Sequence, residues 1–162
     1  ANTGHLTFST LHTNDAPSAV ARLYKMGIEP FLIAYAINII VAQRLIRKLC
    51  DNCKKKAEDL EAKLIAADLN PEHWTDVEVY ESVGCDKCNH TGFKGRIAIH
   101  EALYFTKGIR EIIVRSGVEV DEEKVREQAR RDGTLSLRES GFEKVKLGLT
   151  SIREVLSATT ED

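Results

Sequence analysis

The chain has 162 residues, 43% of them hydrophobic, and a formal net charge of −2. That is enough apolar material to bury the core of one domain, or of one and a half. Aromatic residues make up only 6%, and no basic stripe with interleaved aromatics occurs, which argues against a nucleic-acid partner.

The chain begins at Ala1 and reads as though a strand is already under way, so the expectation is a piece of a longer protein. Thr3 to Thr13 (TGHLTFSTLHT) is predicted to be a strand, from its β-branched and aromatic content and a period near two. His5, Thr7, Ser9 and Leu11 fall on one side of it; Leu6, Phe8, Thr10 and His12 fall on the other. Asn14 or Asp15 can cap the helix that follows, with Pro17 in its first turn. That helix runs to about Met26, presents Val20, Leu23 and Tyr24 on one face, and ends at Gly27.

Pro30 opens a second predicted helix that extends to about Lys48. It carries Phe31, Ile33, Ile37, Ile40, Val41, Leu45 and Ile46, and is apolar nearly all the way round, which implies burial on both sides. Its apolar run is too short to cross a bilayer. With no secretory signal in view, the expectation is a cytosolic protein. Strand, helix, helix is what a slice of an α/β domain looks like.

Further along, Ala57 to Ala67 is predicted to be a helix with Leu60, Leu64 and Ile65 inward, and Val77 to Tyr80 a short strand. Ile97 to Phe105 is a strand with Ile97 and Ile99 on one face. The remainder is helical. Thr106, Asp121, Ser136 and Ser151 stand at helix starts, the last two opening capping boxes with Glu139 and Glu154. Glu122, Glu123, Arg126, Glu127, Arg130 and Arg131 read as one solvated, salt-bridged face.

All four cysteines lie between Cys50 and Cys88, as Cys50-x-x-Cys53 and Cys85-x-x-Cys88, separated by 31 residues. Two such knuckles supply four thiolates to one metal ion. Free buried cysteines, two disulfides or a redox pair are the plainer readings. The spacing makes the first improbable, disulfides need an oxidising compartment, and a redox motif needs only one pair. Four thiolates close a zinc shell and leave no place for substrate, so Cys50, Cys53, Cys85 and Cys88 are read as holding a structural ion. An iron site with the same ligands fits this spacing equally, and His90 could replace one ligand. Lys48, Lys54, Lys55, Lys56 and Lys87 could offset the charge of the thiolates.

Four stretches, in this order, carry a resemblance. Thr3-Gly4-His5-Leu6 with Ser9 to Ala16 resembles the histidine box of the type II secretion and type IV pilus assembly ATPases. Ala42-Gln43-Arg44-Leu45, the paired cysteine knuckles with Thr91-Gly92-Phe93-Lys94-Gly95-Arg96, and Gly148 to Leu156 follow in that family's order. The resemblance implies the C-terminal part of a RecA-like P-loop ATPase domain (partial sheet plus helices), with a four-cysteine zinc module and a C-terminal helical bundle. It divides the chain into residues 1–49 (the end of the ATPase core), 50–90 (the zinc module) and 91–162 (a strand and the helical region).

The implied activity is ATP hydrolysis by a hexamer, with ATP and Mg²⁺, driving pilus assembly or protein secretion from the cytoplasmic face of the inner membrane. The implied partners are the machine's membrane platform and assembly proteins. No Gly-x-x-x-x-Gly-Lys-Ser/Thr occurs in these residues, so the phosphate cradle and the Walker B carboxylate are expected upstream of Ala1, and this piece alone is expected to be inactive. His5 and His12 match the two box histidines. Seven residues of strand span about 23 Å, so one continuous strand cannot bring both to one phosphate. His12, at the end where α/β sheets bind ligands, is the expected phosphate sensor; His5 is expected at a subunit contact or in orientation. Arg44, after Gln43, is the basic residue expected nearest the nucleotide. The alternatives from other classes are an iron–thiolate electron-transfer protein and a zinc-ribbon binding module.

Overall fold

The computed structural model describes residues 4–117 and 119–160. It is an α/β structure of seven α-helices and two small two-stranded sheets, in two compact units among the described residues. The first unit comprises residues 1–43 and 100–136, the second 44–99 and 137–162. Strands β1 (Ile39–Leu49) and β4 (Phe93–Tyr104) pair with each other. They run antiparallel: the Phe105 N–H donates to Asn38 at one end and the Cys50 N–H to Gly92 at the other.

The predicted strand over residues 3–13 is not formed. Thr3 lies outside the described residues, and residues 4–12 are exposed, with Leu6 82% and Phe8 86% accessible. A strand exists only by sharing its N–H and C=O groups with a neighbour, and β-propensity alone does not supply one.

Helix α1 (Ala16–Lys25) starts where its cap requires. The Asp15 side chain accepts from the Ser18 N–H at 2.8 Å, and Pro17 sits in the first turn. Helix α2 (Pro30–Ala36) is where expectation and structure part. It stops at Ala36, and the rest of the predicted helix is β1. The run Ile39-Ile40-Val41 is β-branched, and its alternating exposure is that of a strand half-covered by packing.

In the first unit, helices α4 (Lys107–Val114) and α5 (Glu122–Arg131) pack with α1 and α2. Ala16, Val20, Ile33, Leu103, Ile109, Ile113 and Val125 fill the centre. Thr106 and Asp121 cap α4 and α5 as their positions predict. Most charged residues of α5 form the expected outer face, where Arg131 meets Glu127 at 3.5 Å. Arg126 departs from it and turns inward to Asp15.

The second unit holds a miniature sheet in which β2 (Lys55–Lys56) pairs antiparallel with β3 (Tyr80–Glu81). Helix α3 (Leu60–Ala66) lies between these strands in sequence and buries Leu64. Ile65, predicted inward, is 62% exposed. Leu60, Leu64 and Ala67 share one helical face, and Ile65 lies about 100° away from it. Helices α6 (Leu137–Lys146) and α7 (Ile152–Thr159) pack together. A side chain at Gly141 would collide with Val155, so the glycine sets how closely the two helices approach. Ser151 caps α7 by accepting from the Glu154 N–H.

Candidate metal centre

Each Cys-x-x-Cys pair forms the same kind of turn. In the first, the N–H groups of Cys53 and Lys54 donate back to the Cys50 carbonyl at 3.1 and 3.0 Å; in the second, those of Cys88 and His90 donate to the Cys85 carbonyl at 3.1 and 2.9 Å. Turning the chain this tightly brings both sulfurs of a pair to one side. The second turn passes through two consecutive left-handed residues, Asn89 and His90, at φ 51° and 59°. Asn is among the residues that tolerate this conformation best.

All four sulfurs lie within 4.8 Å of one another. Cys50 and Cys85 are 4.0 Å apart, Cys53 and Cys88 3.8 Å, and Cys85 and Cys88 3.8 Å. A tetrahedron with metal–sulfur bonds of about 2.3 Å has edges of roughly 3.8 Å. A disulfide would bring two sulfurs to about 2.05 Å, and all four cysteines are free. The donor set therefore fits a four-thiolate metal ion. His90 is not part of it: its imidazole faces Asp86 at 3.1 Å.

The surroundings favour charge on the sulfurs unequally. Burial pushes the Cys53 thiol up to about 11. At Cys88 burial acts in the same sense but is outweighed. The N–H groups of Cys85 and Gly92 both point at its sulfur from 3.2 Å and bring it down to about 6. Hydrogen bonds to the charged form lower a pKa in this way. At Cys85 burial is again opposed, here by the Asn52 amide at 3.4 Å, and the thiol is lowered. Lys87 in turn donates to the Asn52 carbonyl at 2.9 Å, so one side chain ties the two knuckles together.

The other lysines proposed to balance the thiolates are largely engaged elsewhere. Lys48 and Lys54 reach Asp51, Lys55 reaches Glu58, and Lys56 reaches Glu78. The sequence brings out the four cysteines, but not the contacts that Asn52 and Gly92 make with their sulfurs. Asn52 was identifiable as one of the two residues inside the first knuckle; what it bonds to was not.

The remaining predicted site residues lie apart from the sulfurs. His12 lines a groove with Thr13, Asn14 and Ser18, bordered by Arg22 and Lys25 of α1. His5 is exposed in the extended segment before it. Gln43 is exposed on β1, and the neighbouring Arg44 donates from Nη1 to the Ala158 carbonyl at 2.7 Å, which fixes one corner of its guanidinium.

A family model described as "Type II/IV secretion system protein" matches residues 1–157. The type IV pilus assembly ATPase PilB of Myxococcus xanthus is 47% identical over 163 residues, covering 100% of this chain and 28% of the relative. The type II secretion system protein E of Aeromonas hydrophila is 42% identical over 160 residues, covering 99% and 31%. PilB of Thermus thermophilus is 42% identical over 161 residues, covering 99% and 18%. This chain thus spans less than a third of the length of these relatives. It belongs to the type II/IV secretion system protein family.

Proposed function

We propose that this chain is the C-terminal portion of a hexameric motor ATPase that hydrolyses ATP to drive type IV pilus assembly or type II secretion, and that its four cysteines hold a structural zinc ion. The reading is carried by one observation: four sulfurs converge at tetrahedral spacing in a chain whose relatives are named ATPases of pilus assembly and secretion. Residues 1–49 complete a RecA-like core, 50–90 form the zinc module, and the helices after 91 form the C-terminal region. The work takes place at the cytoplasmic face of the inner membrane, against the platform and assembly proteins of the machine. No described helix is long and apolar enough to cross a membrane.

A closed thiolate shell has no open position, so the metal contributes rigidity and not chemistry. Phosphoryl transfer is catalysed chiefly by positioning and by neutralising charge on the transferring group. His12, exposed in the turn before α1, donates to the phosphate or registers its loss, while Arg44 and Gln43 approach the nucleotide. Arg44 has donors to spare after its bond to Ala158. His5 serves orientation or a subunit contact. The phosphate cradle and Mg²⁺ site belong to the longer protein, and this portion alone does not turn over ATP.

The test is His12→Ala in the full-length ATPase. Turnover falls on the order of 10²-fold, the scale of losing one hydrogen-bond donor to a developing charge, with hexamers and metal content intact; unchanged turnover removes His12 from the mechanism. Metal analysis with a visible spectrum separates zinc, which is colourless, from an iron–thiolate site.

A further inference from the structure

The turn that carries His12 is held more tightly than a helix start requires. Asp15 caps α1 with one carboxylate oxygen, Oδ1, which takes the Ser18 N–H at 2.8 Å. That bond satisfies the cap. Its other oxygen, Oδ2, accepts from Nη1 of Arg126 on α5, again at 2.8 Å. The Ala16 N–H, one of the donors left unpaired at any helix start, is taken at 2.8 Å by Oε2 of Glu101 on β4. Thr13 adds a third tie, from Oγ1 to the Asp15 carbonyl at 3.1 Å.

Asp15 is 8% and Glu101 4% exposed, and Ala16 is fully buried. Arg126 lies in the field of both carboxylates, and each raises its pKa. Burial opposes ionisation of Asp15, yet its bonds to Ser18 and Arg126 hold its carboxyl below the ordinary value. Meanwhile His12 and Asn14 remain exposed and face the groove bordered by Arg22, Lys25 and Glu122. The turn is fixed from beneath by residues remote in sequence, while the His12 and Asn14 side chains stay open to the groove.

We infer that Arg126 and Glu101 are positioning residues for His12, locking the Thr13–Ala16 turn so that the imidazole is presented to the phosphate in one geometry. The inference rests on the assignment of His12 as the phosphate contact. It also makes α5 the element that moves with the histidine, since the guanidinium bond and the packing of α1 on α5 join them. Remote residues that set the geometry of a reacting group act on the chemical step more than on substrate affinity.

The experiment is a double-mutant cycle in the full-length ATPase with Arg126→Gln, His12→Ala and the pair, with metal content and hexamer formation as controls. Arg126→Gln alone lowers kcat roughly tenfold, with KM for ATP changed less than about twofold. In the His12→Ala background it causes no further loss. Arg126→Lys, which keeps a cation within reach of Asp15, recovers part of the activity. An equal loss in both backgrounds, or no loss in the first, overturns the inference. If His12→Ala leaves turnover unchanged, the phosphate assignment fails and the inference falls with it. Hydrogen exchange at the Ala16 and Ser18 amides then shows whether the lock itself exists: faster exchange in Arg126→Gln means the turn is held as described, and unchanged exchange means it is not.

Discussion

The guanidinium of Arg47 grips the carboxylate of Glu154 through Nε at 2.9 and 3.0 Å, and the Arg47 backbone N–H adds a bond at 3.0 Å. The Phe93 ring lies 4.2 Å from the guanidinium. Around this pair the segment from Gly148 to Glu154 is fastened to the end of β1 and the first knuckle. Thr150 donates to the Arg47 carbonyl, the Leu49 N–H to Leu149, and the Lys54 amine to Gly148, at 2.9 to 3.0 Å. Arg47→Ala leaves the largely buried carboxylate with its side-chain partner gone. Because Arg47 itself is more than half exposed, water replaces part of what is lost, and the expected cost is about 2 kcal/mol. A urea titration followed by Trp74 fluorescence, with zinc present throughout, measures it as a lower midpoint at unchanged slope.

Trp74 is the chain's single tryptophan. It is buried, edge-on to Phe142 of α6 at 6.1 Å. It lies between the two knuckles in sequence, so it reports on the segment they enclose. Removing the metal with a chelator at neutral pH should shift its emission to longer wavelength and reduce secondary structure, with recovery on adding zinc, because binding energy at such a site is folding energy. A spectrum indifferent to chelation would mean the packing of this segment does not depend on the ion.

What could be read in the sequence follows from how local each feature is. The convergence of the four cysteines was legible because two turns of fixed length force both spacing and direction. The caps Asp15, Thr106, Asp121 and Ser151 were legible because each acts on amides within three residues of itself. Residues 39–49 were not, since Ile39-Ile40-Val41-Ala42 is apolar at both the helical and the strand period. The choice was made by β4, more than forty residues further on. Arg126 was read as one charge among several on an outer face; its partner lies 111 positions away, and nothing in the local pattern marks it. The exposed segment at residues 4–12 shows the reverse case, a strand-like sequence that pairs with no strand among the described residues.

Gly92 occupies the most crowded backbone position beside the sulfurs. Its φ is +77°, and a Cβ there would lie 2.5 Å from the Ser82 Cβ, while its N–H points at the Cys88 sulfur. Gly92→Ala should destabilise the second unit by about 1–3 kcal/mol and speed metal release. Gly95 has φ +82° with nothing within 4 Å of the added carbon. Gly95→Ala therefore carries only the backbone strain, about 1 kcal/mol, and leaves the metal undisturbed. Thermal unfolding and release to a coloured chelator, run on both variants, separate the two effects.

The Lys87–Asn52–Cys85 chain predicts a kinetic effect on the ion without loss of fold. Asn52 is exposed, so Asn52→Ala removes no core packing, only the amide donor to sulfur and the bridge between knuckles. Outer partners of metal ligands commonly change affinity ten- to a hundredfold. The expected result is about tenfold faster transfer of zinc to a competing chelator, with the Trp74 spectrum of the loaded protein unchanged. Equal transfer rates would show that the amide does nothing for the sulfur.

Asp15 gives the first unit an acid-sensitive tie. Its carboxyl titrates below the ordinary value because the Ser18 amide and the Arg126 guanidinium outweigh the opposing effect of burial. A carboxyl with a depressed folded-state pKa contributes stability that is fully present above its unfolded value of about 3.9 and is lost as pH falls through the lower, folded value. Asp15→Asn keeps a capping oxygen but has no charge to offer Arg126. Hydrogen exchange of the α1 amides, compared between wild type and variant at the same pH, should therefore differ most at neutral pH. The difference should hold down to about pH 4 and close below it. The Glu101 carboxylate also raises the Arg126 guanidinium's hold on its proton, so the cation stays charged throughout this range and the closure follows Asp15. A difference that stayed constant from pH 7 to pH 3 would mean the lost bond to Arg126 is not what sets the stability of this turn.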